Sequence, residues 1–348
     1  MSITDYWGLI FSDEEIKNIK CFENKERTHP LKKVMFPEDD IDKLVSVNTY
    51  SALKKIYYQD QIHWIKSLKN RLLDTDDFSH SSSALGEIRA LGYLLETGID
   101  ANPVPIDKKG KPTPEFLCNY NSETLNIEVH SKQMDYEQAK LLFDFKKRRL
   151  QTNKPGSETI EIAPFGEPKK PEDSITLNAI SRICGIKESE HQLISDNPQI
   201  LWLDFQDEYW RIALDEKYLM PLCSFNGEFF SGFFWYAFYG WKGAPVFEGH
   251  TLEEKAPIKP YTMMHNGRFR QKTNLSAAIL SFPNLTVIYE NPFIDKILSN
   301  SFIERLCFLH WFANEYSNTR FFSFDLDLKI EMEKETLSKL RNKIVYIG

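Results

Sequence analysis

The chain predicts an α/β fold, and three observations carry that reading. A helical apolar period runs through Ala84, Ile88, Leu91 and Leu95 and stops at Gly98. A hairpin pattern follows, in which Leu125, Ile127 and Val129 alternate with polar residues beyond a turn signal at Asn121-Ser122. A second helical pattern between Ser174 and Leu193 then leads into Pro198–Phe205, a short apolar run of the kind that fills a central strand. The expected order is helix, three strands, helix, strand, and it implies a central mixed sheet flanked by helices.

Residues 1–78 are charged and mostly helical in pattern. Val45, Leu53, Ile56, Tyr57, Trp64, Leu68 and Leu72 form a broken apolar stripe there, as expected of a helical N-terminal extension. The Asp- and Ser-rich segment 74–83 reads as a linker. The core is expected over 79–292. It opens with a helix at 84–97, a strand near Asn102–Ile106 and a turn over Lys108–Pro114, and the hairpin follows. Residues 153–172, rich in Pro, Lys and Glu, read as a surface insertion, and Leu275–Phe282 and Leu285–Tyr289 as further strands. From 293 to 348 a helical pattern with Phe302, Leu306, Leu309 and Phe312 precedes an alternating stretch over 322–330 and a charged helix to Lys343. His310, among Leu309, Trp311 and Phe312, reads as a packed histidine.

The chemistry concentrates in the hairpin. Alternation gives Leu125, Ile127 and Val129 one face of the second strand, and Glu128, His130 and Lys132 the other. A tight turn near Asn121 would bring Glu115, after Pro114 at the start of the first strand, within reach of the Glu128 end of the second. Paired carboxylates of this kind suit a hard divalent cation, which can generate hydroxide and stabilise charge on a phosphodiester. Glu87 shares the apolar helix face of Ala84, Ala90, Leu91 and Leu94, where a carboxylate is costly unless a cation or donors compensate it. A capping box does not explain it, because position 84 is Ala rather than Ser or Thr, whereas a first-turn charge favoured by the helix dipole remains an ordinary explanation.

Pro114-Glu115, Glu128-Val129-His130 and the preceding helix with Glu87 together resemble the PD-(D/E)XK, or restriction-endonuclease-like, nuclease superfamily. Glu stands for the first Asp and His for the Lys. The resemblance covers roughly residues 80–205 and implies that Glu87, Glu115 and Glu128 hold Mg2+ or Mn2+. It further implies that His130 or Lys132 orients the attacking water, and that the substrate is nucleic acid, DNA in preference to RNA. Lys132, one strand repeat beyond His130, would supply the missing ammonium. The alternative is a catalytically silent relative that keeps the fold as a binding module.

Composition sets the frame for both. A chain of 348 residues with 42% hydrophobic content can bury a substantial core. Its net charge of −7 argues against nonspecific coating of nucleic acid but leaves room for a local basic channel. Lys146-Lys147-Arg148-Arg149, followed by Lys154, would contact phosphates or form a solvated helix face, the commoner case. The aromatic run Phe229–Trp241 would stack on unpaired bases or, more often for such composition, build core or an interface with a second copy or another protein. Five scattered cysteines without CxxC spacing read as reduced thiols in a cytoplasmic protein, and no stretch reaches membrane-spanning length. GxSxG, Walker A, GxGxxG and HExxH motifs are absent from the sequence.

Overall fold

The structure, a computed structural model, describes residues 6–24, 26–105, 113–133, 135–151, 165–166, 175–186, 197–206, 218–225, 228–244, 246, 266–271, 273–321 and 335. The N-terminal region is helical, with α1 (Asp13–Cys21), α2 (Pro30–Met35), α3 (Asp40–Tyr58), α4 (Ile62–Ser67) and α5 (Lys69–Leu72). The helix starts are set by local chemistry. Ser12 and Glu15 form a reciprocal capping box on α1, and the Asp39 carboxylate accepts from the Ile41 and Asp42 amides at the head of α3. The apolar stripe breaks at Asp60, whose positive φ of 57° ends α3 and turns the chain into α4.

Helix α6 spans Phe78–Glu96, six residues earlier than the apolar period suggests. Asp77 caps it by accepting from Ser79, and Ser81 is fully buried with its hydroxyl donating to the Leu72 carbonyl. The expected linker at 74–83 is therefore a short turn followed by helix. Serines read as a loop signal because they compete with helical hydrogen bonds, but here they satisfy those needs against a neighbouring element.

Strands β1 (Asp100–Pro103), β2 (Phe116–Tyr120) and β3 (Glu123–Ser131) follow, then α7 (Tyr136–Gln151), α8 (Ile175–Cys184) and β4 (Gln199–Asp204). A small β5–β6 hairpin (Cys223–Phe225, Glu228–Phe230) leads to α9 (Phe233–Tyr239), and β7 (Leu275–Phe282), β8 (Leu285–Glu290) and α10 (Asn300–Leu306) come after it. Among the described residues, six strands form one mixed sheet in the order β1-β2-β3-β4-β7-β8. β3, β4 and β7 run parallel, and the outer pairings are antiparallel. Ser131, Asp204 and Ser281 stand in register, so the carboxyl ends of the three parallel strands align. The first strand lies at 100–103 rather than 102–106, and the C-terminal helix ends at Leu306, leaving Leu309 and Phe312 in the turns beyond. The alternating stretch over 322–330, the charged helix to Lys343 and most of 153–172 fall outside the described residues.

Two apolar layers cover the sheet. On one face, α6 and the N-terminal helices pack on Phe116, Leu125, Ile127, Val129, Ile200 and Trp202. Two glycines allow the helices to approach closely. A Cβ at Gly92 would lie 2.3 Å from the Cα of Ala52 on α3, and one at Gly86 would lie 2.0 Å from Ser131 Oγ and 3.2 Å from Asp204 Cβ. On the other face, α8 and α9 pack on Leu201, Leu203, Ala278, Leu280, Val287 and Tyr289. All seven residues of α9 are buried. The aromatic run is thus core at Phe233–Tyr239, and these rings cannot serve as a base-stacking platform or partner surface. Within the expected contact segment 229–241, the buried residues 231–240 therefore offer no surface to a second copy or another protein.

Among the described residues no helix is long and apolar enough to cross a membrane, and Cys21, Cys118, Cys184 and Cys307 are free thiols. His310 is packed, stacked on the Tyr93 ring with centroids 4.9 Å apart.

Candidate active site

The site begins with the β2–β3 hairpin. Asn121 (φ 49°) and Ser122 (φ 65°) both adopt left-handed backbone, as a two-residue type I′ turn requires, and Tyr120 pairs with Glu123. Phe116 pairs with Ile127, and one further step sets Glu115 opposite Glu128. Glu115 sits just ahead of β2, where its carbonyl accepts from the Val104 amide and its Oε2 accepts from the Val129 amide at 3.0 Å.

Register with Leu201 and Leu203 puts Glu128 and His130 on the sheet face of the second apolar layer. Among the described residues, that layer takes side chains from β4, β7 and β8 and none from β1, β2 or β3. Apolar cover gives way at β3, and the acidic cluster occupies the space.

Glu128 is 3% exposed, and its Oε1 lies 2.7 Å from His130 Nε2. Glu87 enters from α6. Because Gly86 lets the helix press against the ends of β3 and β4, the next residue is carried to the margin of the hairpin. Arg71 meets the Glu87 carboxylate with two hydrogen bonds of 2.6 and 3.0 Å, and Ser83 Oγ adds a third at 3.3 Å.

Burial pushes the Glu115 carboxyl up to about 8, and the charges of Glu87 and Glu128 push the same way against the Val129 hydrogen bond. Glu87 and Glu128 therefore each sit within electrostatic reach of Glu115. Lys132 continues the strand direction, its amide donating to the Asp204 carbonyl at 2.8 Å. Burial holds its ammonium below the usual lysine range, and Arg268 acts in the same direction. Arg268 itself is buried and donates to the Ile183 and Ile186 carbonyls at the end of α8.

Sequence reasoning missed Arg71 and the approach of Arg268, readable only as a basic residue after the aromatic run, to Lys132. Arg71 precedes Glu87 by most of a helix and a turn, and Arg268 approaches Lys132 from beyond β4. Local spacing signals neither.

Two residues along α6 from Glu87 lies a different ionic site. Arg89, 1% exposed, holds the fully buried Asp204 through Nε at 2.9 Å and Nη2 at 2.7 Å, while its Nη1 donates to Thr49. Gln206 adds an amide donor to Asp204 and binds Tyr93 and Ser281, and Asn48 ties Gln206 to the Pro283 carbonyl.

No group of three His, Cys, Asp or Glu side chains is gathered to hold a metal ion among the described residues. No family model, curated protein or solved structure matches this chain.

Proposed function

We propose that the chain is a metal-dependent phosphodiesterase acting on nucleic acid, of the restriction-endonuclease-like class. The observation that carries this is a turn-locked hairpin that brings Glu115, just ahead of the Phe116–Ile127 pair, beside the strand of Glu128, with Glu128 and Glu87 both close enough to raise the proton affinity of Glu115. The order of α6, the β1–β2–β3 antiparallel run and the parallel return at β4 is consistent with that class.

The donor chemistry fits a hard cation. Buried, mutually repelling carboxylates are stabilised most by a multivalent positive charge, and oxygen donors suit Mg2+ or Mn2+. Glu115 and Glu128 would hold it, with Glu87 as the third carboxylate. Such an ion supplies electrostatic stabilisation of the charge that develops on phosphate.

The protein's own groups divide the remaining work. His130 has Nε2 against Glu128 and so fixes that carboxylate's orientation. Lys132, displaced toward its neutral form, is suited to take a proton from the attacking water. The water oxygen then bonds to phosphorus in line with the departing 3′-oxygen, the P–O3′ bond breaks with its electron pair going to O3′, which takes up a proton from solvent as Lys132 later returns its own, and a 5′-phosphate and a 3′-hydroxyl remain.

The test is cleavage of linear, circular and single-stranded DNA, and of RNA, with Mg2+, Mn2+ or EDTA. Wild type is expected to cut only with metal and Glu128→Ala to cut nothing. A metal-independent product, or a Glu128→Ala protein with full activity, refutes the assignment.

One observation favours a silent binding module instead. Arg71 and Ser83 already satisfy Glu87, as in a site that has closed over its acids. Wild type that binds nucleic acid and cuts none with any metal would establish that second reading.

A further inference from the structure

A cleft of about 400 Å3 opens between the segment that follows α1, helix α2 and helix α7. Its volume is in the range of small-ligand pockets. Arg27, Lys32 and Lys147 bring three cations to it, and Phe22 and Phe143 two aromatic rings. Glu23 and Glu38, both exposed, line it too, and the Lys32 ammonium donates to the Phe22 carbonyl at 2.8 Å, leaving two N–H groups toward the cleft. His29 adds no charge, because its Nδ1 accepts from the Leu31 amide while Nε2 faces the Asp74 carbonyl at 2.9 Å, the pattern of a neutral ring.

Its position matters as much as its lining. Arg27 Nη1 donates to Gln133 Oε1 at 3.3 Å, and Gln133 directly follows Lys132 at the end of β3. The cleft therefore adjoins the strand that carries Glu128, His130 and Lys132. The Arg27 guanidinium is held over the Phe78 ring, 4.6 Å from its centroid, and Lys140–Glu26 clamps the same segment to α7. An arginine so fixed loses little freedom when it binds a phosphate through its remaining N–H groups.

We propose that this cleft is a binding subsite for a short single-stranded stretch of the nucleic-acid substrate, beside the point of cleavage. The phosphates lie on Arg27, Lys32 and Lys147, and a base lies against Phe22 and Phe143. The assignment rests on the nuclease reading above. It also gives the segment before the sheet a part in substrate capture.

The test measures anisotropy of a short labelled DNA strand with the full chain in EDTA, across a salt series. Wild type is compared with Arg27→Ala/Lys32→Ala/Lys147→Ala and with Lys147→Glu alone, whose exposed side chain can change without disturbing packing. The expected result is at least a tenfold weaker complex for the triple variant and a weaker one for Lys147→Glu. The slope of log K against log salt should fall by roughly 1–2 in the triple variant, at about 0.7 for each phosphate no longer neutralised. Equal affinities and slopes in a wild type that does cut nucleic acid overturn the subsite and leave the nuclease reading standing. A wild type that neither binds nor cuts overturns both. A mononucleotide that binds the cleft, with strand affinity indifferent to the variants, assigns the site to a free nucleotide and overturns the strand.

Discussion

Helix α6 carries two charged residues into the molecule at consecutive odd positions, and they meet opposite circumstances. Arg89 finds one carboxylate, Asp204, matched to it by two hydrogen bonds and sealed from water. Glu87 finds Arg71, and its charge also bears on the Glu115 carboxyl, as does that of Glu128. The first site is balanced, with its remaining polar atoms bound by Thr49 and Gln206. The second holds more negative charge than one arginine offsets. A buried ionic cluster that closes on itself serves the architecture, whereas the acidic one is where the proposed cation would add the missing positive charge.

The contrast breaks most visibly at Asp204. Asp204→Ala leaves Arg89 buried without its partner and should cost about 3–5 kcal/mol of unfolding free energy. Denaturant titration checks it, and a loss below about 1 kcal/mol would mean water reaches Arg89.

Gly86→Ala probes the contact that both sites share. The added methyl meets Ser131 and Asp204, so about 1–3 kcal/mol should be lost as α6 is pushed outward. Ser131 Oγ can rotate away, but the Asp204 Cβ cannot. Cleavage should fall more than stability alone explains, measured as kcat at a temperature where the variant remains folded.

Glu115→Gln tests the acidic side directly. The folded protein holds a proton on Glu115 up to about pH 8, whereas the unfolded chain releases it at the ordinary carboxylate range. Stability therefore falls as pH rises from that range through about 8. Glutamine should remove this slope and raise stability at about pH 9 by roughly 1–2 kcal/mol, a figure reduced for the partial water access of Glu115. Thermal melts of both proteins at about pH 5 and about pH 9 decide it. Mn2+ should raise the wild-type melting temperature more at about pH 8 than at about pH 6, and that of Glu115→Gln at neither.

Arg71→Ala leaves the buried Glu87 carboxylate with Ser83 alone, but the arginine is 37% exposed and water can enter behind it, so roughly 1–2 kcal/mol of stability is expected to be lost. The substitution should nevertheless tighten Mn2+ binding by titration calorimetry, because Glu87 is released. Unchanged metal affinity would remove Glu87 from the ligand set.

The sequence foretells these sites unequally. The hairpin placement of Glu128 and His130 on one side of β3, with Glu115 just ahead of β2 and Lys132 just past β3, is readable because strand alternation and a two-residue turn are local rules. β4, β7 and β8 are readable as unbroken apolar runs bounded by turns. Arg71 and the Arg89–Asp204 pair are not, since nothing local to Glu87 or Arg89 specifies a partner that arrives through tertiary packing. The rings of α9 mislead in part for a different reason. A helix buried all round has no polar side, so periodicity cannot assign it a face.

The turn at Asn121-Ser122 bears on how such a site could fall silent. It touches none of the acids, yet it sets the count that aligns Glu115 with Glu128. One residue gained there would offset the ladder by a step and turn the first strand's side chains to opposite faces, offering Phe116 where a carboxylate stood. The hairpin tip is thus a point of inheritance for the proposed chemistry: drift at this corner would misalign the hairpin while every acid in it remained in the gene.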